Sequence, residues 1–376
     1  MSDKAYKYRF YPTAEQEDLL RRTLGCARLV YNKALSARTE AWYGEQKRVS
    51  YNDTSKMLTG WKKEAELSFL KEVSSVALQQ GLRHLQGAFT NFFAGRAKYP
   101  NFKKKRNGGS AEFTKAAFRY TGGQVYLAKC AEPLPVRWSR LLPKGADPSS
   151  ITVKLSGAGR WTVSLLVDVD IEPLPPVEKE VGIDLGISAL LSLSDGEKVT
   201  NPKGLKAKSG KLRKAQKALS RKVQGSNNRH KARLRVARVH AEIADARKDM
   251  LHKLTTRLVR ENQLIAVEDL AVKNMVKNHK LAQAISDASW GELVRQLEYK
   301  CDWYGRRLVK IDRWFPSSKR CNSCGHTVDK LPLSIREWDC PSCGVRHDRD
   351  INAAINVLAA GRAVLVCGAS VRPDRA

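Results

Sequence analysis

The sequence predicts a multidomain α/β protein, and three observations carry that prediction. Short β-type runs over residues 110–170 follow helical patterns over 11–97. After a proline-rich segment at 171–180, strands and helices alternate. A block with two Cys-x2-Cys pairs then interrupts the last strand-to-helix step.

Residues 4–11, "KAYKYRFY", alternate well enough for a short strand. A helix opens next, where Thr13 and Gln16 have capping-box spacing and Leu20, Leu24, Ala27 and Tyr31 recur at helical intervals. Helical patterns return at 54–66 and 72–96. Aromatic and basic residues mix in "NFFAGRAKYPNFKKKRNGG"; two of Phe92, Phe93 and Phe102 are expected in a core, and Lys103, Lys104 and Lys105 at phosphate. The runs "GGQVYLA", "PLPVRW" and "SITVKLSGAGRWTVSLLVDV" read as a small antiparallel barrel or sandwich. The N-terminal strand is expected to join it, which makes the helical domain an insertion.

"EVGIDLGISALLSLSDGEKV" has the pattern of a β-hairpin. Two basic helices follow at roughly 206–223 and 228–260, broken at "GSNN". Leu234, Ala237, Ala241, Ala244, Leu251, Leu254 and Leu258 give the second a near-heptad packing face. "ENQLIAVEDL" is an apolar strand ending in acids, a helix is expected around 288–305, and "RRLVKIDRWF" holds another strand.

Charge points to a polyanionic partner. Lys and Arg number 68 against 38 Asp and Glu, a net charge of +30. Residues 203–240 hold fourteen of the basic residues and no acid. A solvated face would intersperse both signs, so this run is expected to meet nucleic acid through Lys211, Arg213, Lys214, Lys217, Arg221, Lys222, Arg233 and Arg235. No apolar run reaches 18 residues and the N-terminus lacks a signal-type apolar stretch, so no membrane partner is expected.

Four of the eight cysteines form the two pairs. Cys321 and Cys324, then Cys340 and Cys343 after fifteen residues, have zinc-ribbon spacing. Four thiolates leave no open coordination position, so the expected Zn2+ is structural. This usage suits a reducing, cytoplasmic setting.

Three acids stand at element ends: Asp184 in "GIDLG", Glu268 after "LIAV", and Asp350 before "INAAIN". Singly each has a plain alternative: an actin-like ATPase strand, a surface acid, a helix N-cap. Together they match the clamp a ribonuclease H-like nuclease builds from carboxylates on separate segments around two magnesium ions.

"GIDLGI", "VEDLAVKNM", "ISDASWGELVRQLEYKCDWYGRRLV", "FPSSKRCNSCG" and "CPSCGVRHDRDINAAINVL" closely resemble the TnpB family of transposon-encoded RNA-guided nucleases. "YRFYPTAEQEDLLRRTLGCARLVYN", "ALQQGLRHLQGAFTNFF" and "RKDMLHKLTTRLVRE" extend the resemblance over nearly the whole chain. It implies a wedge-type β-barrel over 1–10 and 110–175, carrying a helical recognition domain over 11–109. It implies a RuvC-like nuclease domain over 180–315 and 348–362, a zinc ribbon over 316–347, and a flexible tail over 363–376. Asp184, Glu268 and Asp350 carry over as catalytic, Mg2+-binding acids, ahead of their neighbours Asp269 and Asp348. The implied partners are a transposon-derived guide RNA, one protein per RNA, and double-stranded target DNA read beside a short motif by Tyr51, Thr54 and Gln79. The alternatives are a guided repressor that does not cut and a DNA transposase.

Overall fold

The computed structural model describes residues 2–201, 203–279 and 281–366. They divide into two compact units on either side of the Asp170–Ile171 boundary.

The first unit opens with β1 (Ser2–Phe10), whose alternate residues Tyr6, Tyr8 and Phe10 are buried. Helices α1 (Ala14–Glu45), α2 (Tyr51–Trp61) and α3 (Ser75–Phe93) follow. The capping box forms at the start of α1, with Thr13 and Gln16 exchanging backbone-to-side-chain bonds of 3.2 and 3.3 Å. Then come β2 (Gly108–Thr114), β3 (Phe118–Thr121), β4 (Gln124–Leu127), β5 (Val136–Arg137), β6 (Pro148–Ser156) and β7 (Trp161–Val169). β1 pairs with β7 in a five-stranded antiparallel sheet of order β2-β6-β7-β1-β5. Leu20, Leu24 and Ala77 from the helices enter the sheet's core beside Phe10, Phe113 and Val153, so insertion and sheet share one interior.

The "NFF" aromatics depart from expectation. Phe92 is half-buried, while Phe93 and Phe102 are 72% and 53% exposed. The buried stripe Leu82, Leu85, Phe89 reaches Phe93 only in the last turn of α3, where its ring stacks on Phe89 but faces water.

The second unit begins with β8 (Glu180–Leu185), β9 (Ala189–Leu193) and β10 (Lys198–Thr200), an antiparallel meander. Helices α4 (Gly204–Ala207), α5 (Ser209–Ser220) and α6 (Asn227–Glu261) precede β11 (Leu264–Glu268). Then come α7 (Val272–Met275), α8 (Ala282–Ala288), α9 (Trp290–Tyr304) and β12 (Arg307–Ile311). The cysteine block carries β13 (Glu337–Asp339) and β14 (Arg346–Asp348), which leads directly into α10 (Arg349–Val366). β11 pairs parallel with β8 and β12 parallel with β11, giving the order β10-β9-β8-β11-β12.

Helix α6 keeps the expected face only in its second half, where Leu251, Leu254 and Leu258 are buried. In its first half the buried residues are Ala232, Val239 and Ile243, the last two packing with Leu212 of α5, while Ala244 is exposed. Alanine and the arginine stems give so little contrast there that the buried side cannot be read from apolar spacing. The proline-rich segment is stitched to this unit: buried Arg306 donates to the Leu174 and Pro175 carbonyls at 3.5 and 2.9 Å, and to that of Val259 at 3.0 Å. Helix α10 continues to Val366, so 363–366 are helical; the rest of the expected tail, 367–376, lies outside the described residues. No helix among the described residues is long and apolar enough to cross a membrane.

Two glycines set how closely α10 lies on the sheet. A Cβ on Gly182 of β8 would run into the Ala354 carbonyl and sit 2.6 Å from the Leu358 amide. A Cβ on Gly361 of α10 would sit 2.6 Å from that of Ala266 on β11. Both positions need glycine for backbone approach.

Candidate active site

The parallel register of β8 and β11, with Ile183 opposite Val267, sets Asp184 beside Glu268 at the C-terminal edge of the two strands. Close seating of α10 on Gly182 brings Asp350, its second residue, to the same edge. Burial, and then the negative charges of Glu268 and Asp350, push the Asp184 carboxyl up to about 8. Arg349 and Lys198 act in the opposite sense without cancelling this. Burial also raises Glu268, and the Ser317 hydroxyl, donating to its Oε1 at 2.6 Å, works against that rise. Such a gathering of hard oxygens with surplus negative charge suits divalent cations. The three side chains do not all approach within 4.8 Å of one another, a wider spacing than that of the cysteines.

Neighbouring acids have other duties. Asp348 Oδ1 accepts the Asp350 and Ile351 amides at 3.1 and 3.0 Å, so Asp348 caps α10. It also pairs with Lys198 at 2.7 Å, and Asp269 pairs with Arg313. Asp350 is thereby left clear of the cap, with its side chain 21% exposed. Arg336, between the knuckles, reaches Asp350 at 3.5 Å and the Ser188 hydroxyl at 3.3 Å, and its carbonyl accepts the Arg349 amide at 2.8 Å. Sequence reading missed Arg336; a lone arginine between two cysteine pairs was the only signal.

The four cysteines form the one cluster of three or more candidate ligands among the described residues whose donor atoms all lie within 4.8 Å. Sγ separations of 3.7 Å (Cys321 to Cys343) and 3.6 Å (Cys324 to Cys340) suit tetrahedral thiolate coordination of a structural zinc ion. Gly325 and Gly344 take φ of +80° and +73° just after each pair. Burial raises the Cys321 thiol, yet the Cys324 and Ser323 amides and His347 outweigh it and bring it down to about 5. His347 lies 3.1 Å from Cys321 Sγ and is held against Trp338 at a ring separation of 4.9 Å.

The expected nucleic-acid contacts are scattered over both units. Lys104 and Lys105 are exposed, while the Lys103 ammonium lies 4.0 Å from the Tyr31 ring centroid. Arg213, Lys214, Lys217, Arg221, Lys222 and Arg235 are exposed; Lys211 pairs with Glu242 at 3.1 Å and Arg233 bonds His230 at 3.1 Å. Tyr51 is half-buried under Arg83, and Gln79 is exposed. Thr54 leaves the group: it is buried, and its hydroxyl donates to the Tyr51 carbonyl at 2.8 Å within its own helix.

Known proteins are similar to this chain over nearly its whole length. Residues 163–279 match the OrfB/IS605 model described as "Probable transposase", and 290–357 match the Cas12f1-like TNB domain. Residues 1–47 match a helix-turn-helix model, although here they form β1 and the single helix α1. A Streptomyces pristinaespiralis protein named "Putative RNA-guided DNA endonuclease" is 61% identical over 99% of this chain and 92% of its own. Escherichia coli InsQ, which carries the same name, is 34% identical over 99% of this chain and 96% of its own. The fold resembles Cas12f1 in its complex with guide RNA and target DNA, with a TM-score of 0.58 at 13% identity over 95% of this chain and 98% of that one. On these matches, the chain is a member of the TnpB family.

Proposed function

We propose that this protein is an RNA-guided endonuclease of a transposable element, cutting double-stranded DNA that pairs with its guide beside a short adjacent motif. The convergence of Asp184, Glu268 and Asp350 from two strand ends and a helix start carries the reading. The second unit is then a RuvC-type, ribonuclease H-like nuclease domain interrupted by a zinc ribbon, and the first a wedge-type barrel with an inserted recognition domain. Two magnesium ions held by the three acids would supply an activated water and stabilise the leaving 3′ oxygen. The acids fit them by donor type, and two ions require a wider carboxylate spread than one.

The protein's own part is to bind, orient and charge-balance. Arg213, Lys214, Lys217 and Arg221 on and beside α5 hold guide RNA by phosphate contacts. Replacing these four by Gln is expected to lower the slope of log affinity against log salt by about 3, measured by filter binding at several salt concentrations. Tyr51 and Gln79 face the adjacent motif. Arg336 orients or neutralises the phosphate presented to Asp350, so Arg336→Ala is expected to slow cleavage roughly a hundredfold while target binding stays unchanged. Gel-shift and single-turnover assays on the same preparation check this.

The test of the guided reading is reprogramming. Protein purified with its RNA is compared with protein carrying the same RNA in which only the guide segment is altered. Cleavage that follows the new segment supports the proposal; cleavage indifferent to it contradicts it. Joined rather than cut DNA strands would favour the transposase chemistry that one matching model's description names.

A further inference from the structure

The paired asparagines of "INAAIN" do work that neither helix packing nor metal ligation requires. Asn352 and Asn356 lie one turn apart on α10, both buried. The Asn352 amide donates to the Arg320 carbonyl at 2.8 Å, and that of Asn356 to the Arg320 and Ser317 carbonyls at 2.6 and 2.9 Å. Asn352 Oδ1 accepts the Asn322 amide at 3.0 Å. Both chain neighbours of the ligand Cys321 are thus clamped to the helix that carries Asp350. Ser317, buried at the other end of the clamped segment, sends its hydroxyl to Glu268.

We infer that Ser317, Asn352 and Asn356 are positioning residues that join the thiolate site to the catalytic acids, so that zinc occupancy sets how tightly the acids hold divalent metal. This rests on the nuclease reading for what the acids do. Its chemistry is local: a knuckle fixed by metal fixes residues 317–322, which fixes one Glu268 oxygen and the start of α10. Side chains that orient ligands from behind contribute about ten- to a hundredfold to metal affinity.

The test uses the full RNA-loaded protein and Mn2+ as probe, followed by electron paramagnetic resonance of the free ion. Cleavage rate against Mg2+ is measured in parallel. For Ser317→Ala, the half-saturating concentration of both metals is expected to rise about tenfold. The rate at saturating Mg2+, the RNA content and the zinc content should stay near wild type, and Ser317→Thr, which keeps the hydroxyl, should restore the affinity. Asn356→Ala is expected to weaken Mn2+ similarly and also to speed zinc transfer to a chromogenic chelator. Zinc-stripped wild type should show the same loss of Mn2+ affinity, reversed by adding zinc back.

Unchanged Mn2+ affinity in Ser317→Ala would overturn the proposal, as would a rate lowered equally at every Mg2+ concentration. Wild-type Mn2+ affinity after zinc removal would overturn the coupling. Should wild type bind Mn2+ through Asp184 yet cut nothing, the nuclease reading fails while the Mn2+ titrations still decide the positioning claim.

Discussion

An Asp184→Asn protein is expected to keep its guide RNA and bind matched DNA, yet lose cleavage by roughly a thousandfold or more. It should also be more stable than wild type without divalent metal. The sign follows from the raised carboxyl. Its ordinary value is 3.8, its value in the fold about 8, so between them the folded state binds a proton that the unfolded chain has released. This contribution to stability is complete below pH 4 and is lost as pH rises through 8. Asparagine removes the cost. Discounted for the solvent reaching this half-buried side chain, the gain is about 1–2 kcal/mol at neutral pH, or a few degrees in Tm. Thermal unfolding in EDTA from roughly pH 5 to 9 checks it: the gap between variant and wild type should widen as pH rises toward about 8 and then level off. Magnesium should narrow it by stabilising the ionised wild type.

Gly182→Val is the second large effect. The added side chain would meet the Ala354 carbonyl and the Leu358 amide, backbone atoms that cannot step aside without moving α10. Displacement of the helix carries Asp350 with it, and a shift of about 1 Å at a reacting group costs roughly a hundredfold in rate. The overpacking itself is expected to lower stability by about 3 kcal/mol or more. Gly291 near the start of α9 is the contrast, because a Cβ there meets nothing within 4 Å. Gly291→Ala should leave cleavage intact and raise stability by about 0.5–1 kcal/mol. Denaturant melts and cleavage assays of both variants separate backbone approach from a general dislike of substitution.

The readable features were those written in local rules. The Thr13–Gln16 box, the alternating Tyr6, Tyr8 and Phe10, the hairpin before β11 and the two cysteine knuckles each follow from spacing within a few residues. Asp350 shows where that stops. By sequence it was as good a helix cap as Asp348, and only the bonds from the Asp350 and Ile351 amides assign the cap to Asp348. Arg336 and the asparagine clamp were hidden because their partners are distant in sequence, outside the reach of local spacing rules. The first half of α6 misled because Ala and Arg periodicity is ambiguous, and Phe93 because a buried stripe gives no sign of where its core ends. Thr54 looked available for contact, but its hydroxyl is satisfied inside its own helix.

The most direct measurement takes protein expressed with its native flanking DNA and retained RNA. It is incubated with plasmids holding the guide-matched target beside randomised flanks, once with magnesium and once with EDTA. Magnesium-dependent cutting confined to targets beside one flanking motif, and absent from Asp184→Asn, is the predicted result. Flank-selective binding without cutting by wild type would contradict the nuclease and leave a guided repressor. Loss of the RNA as well would contradict the guided account altogether.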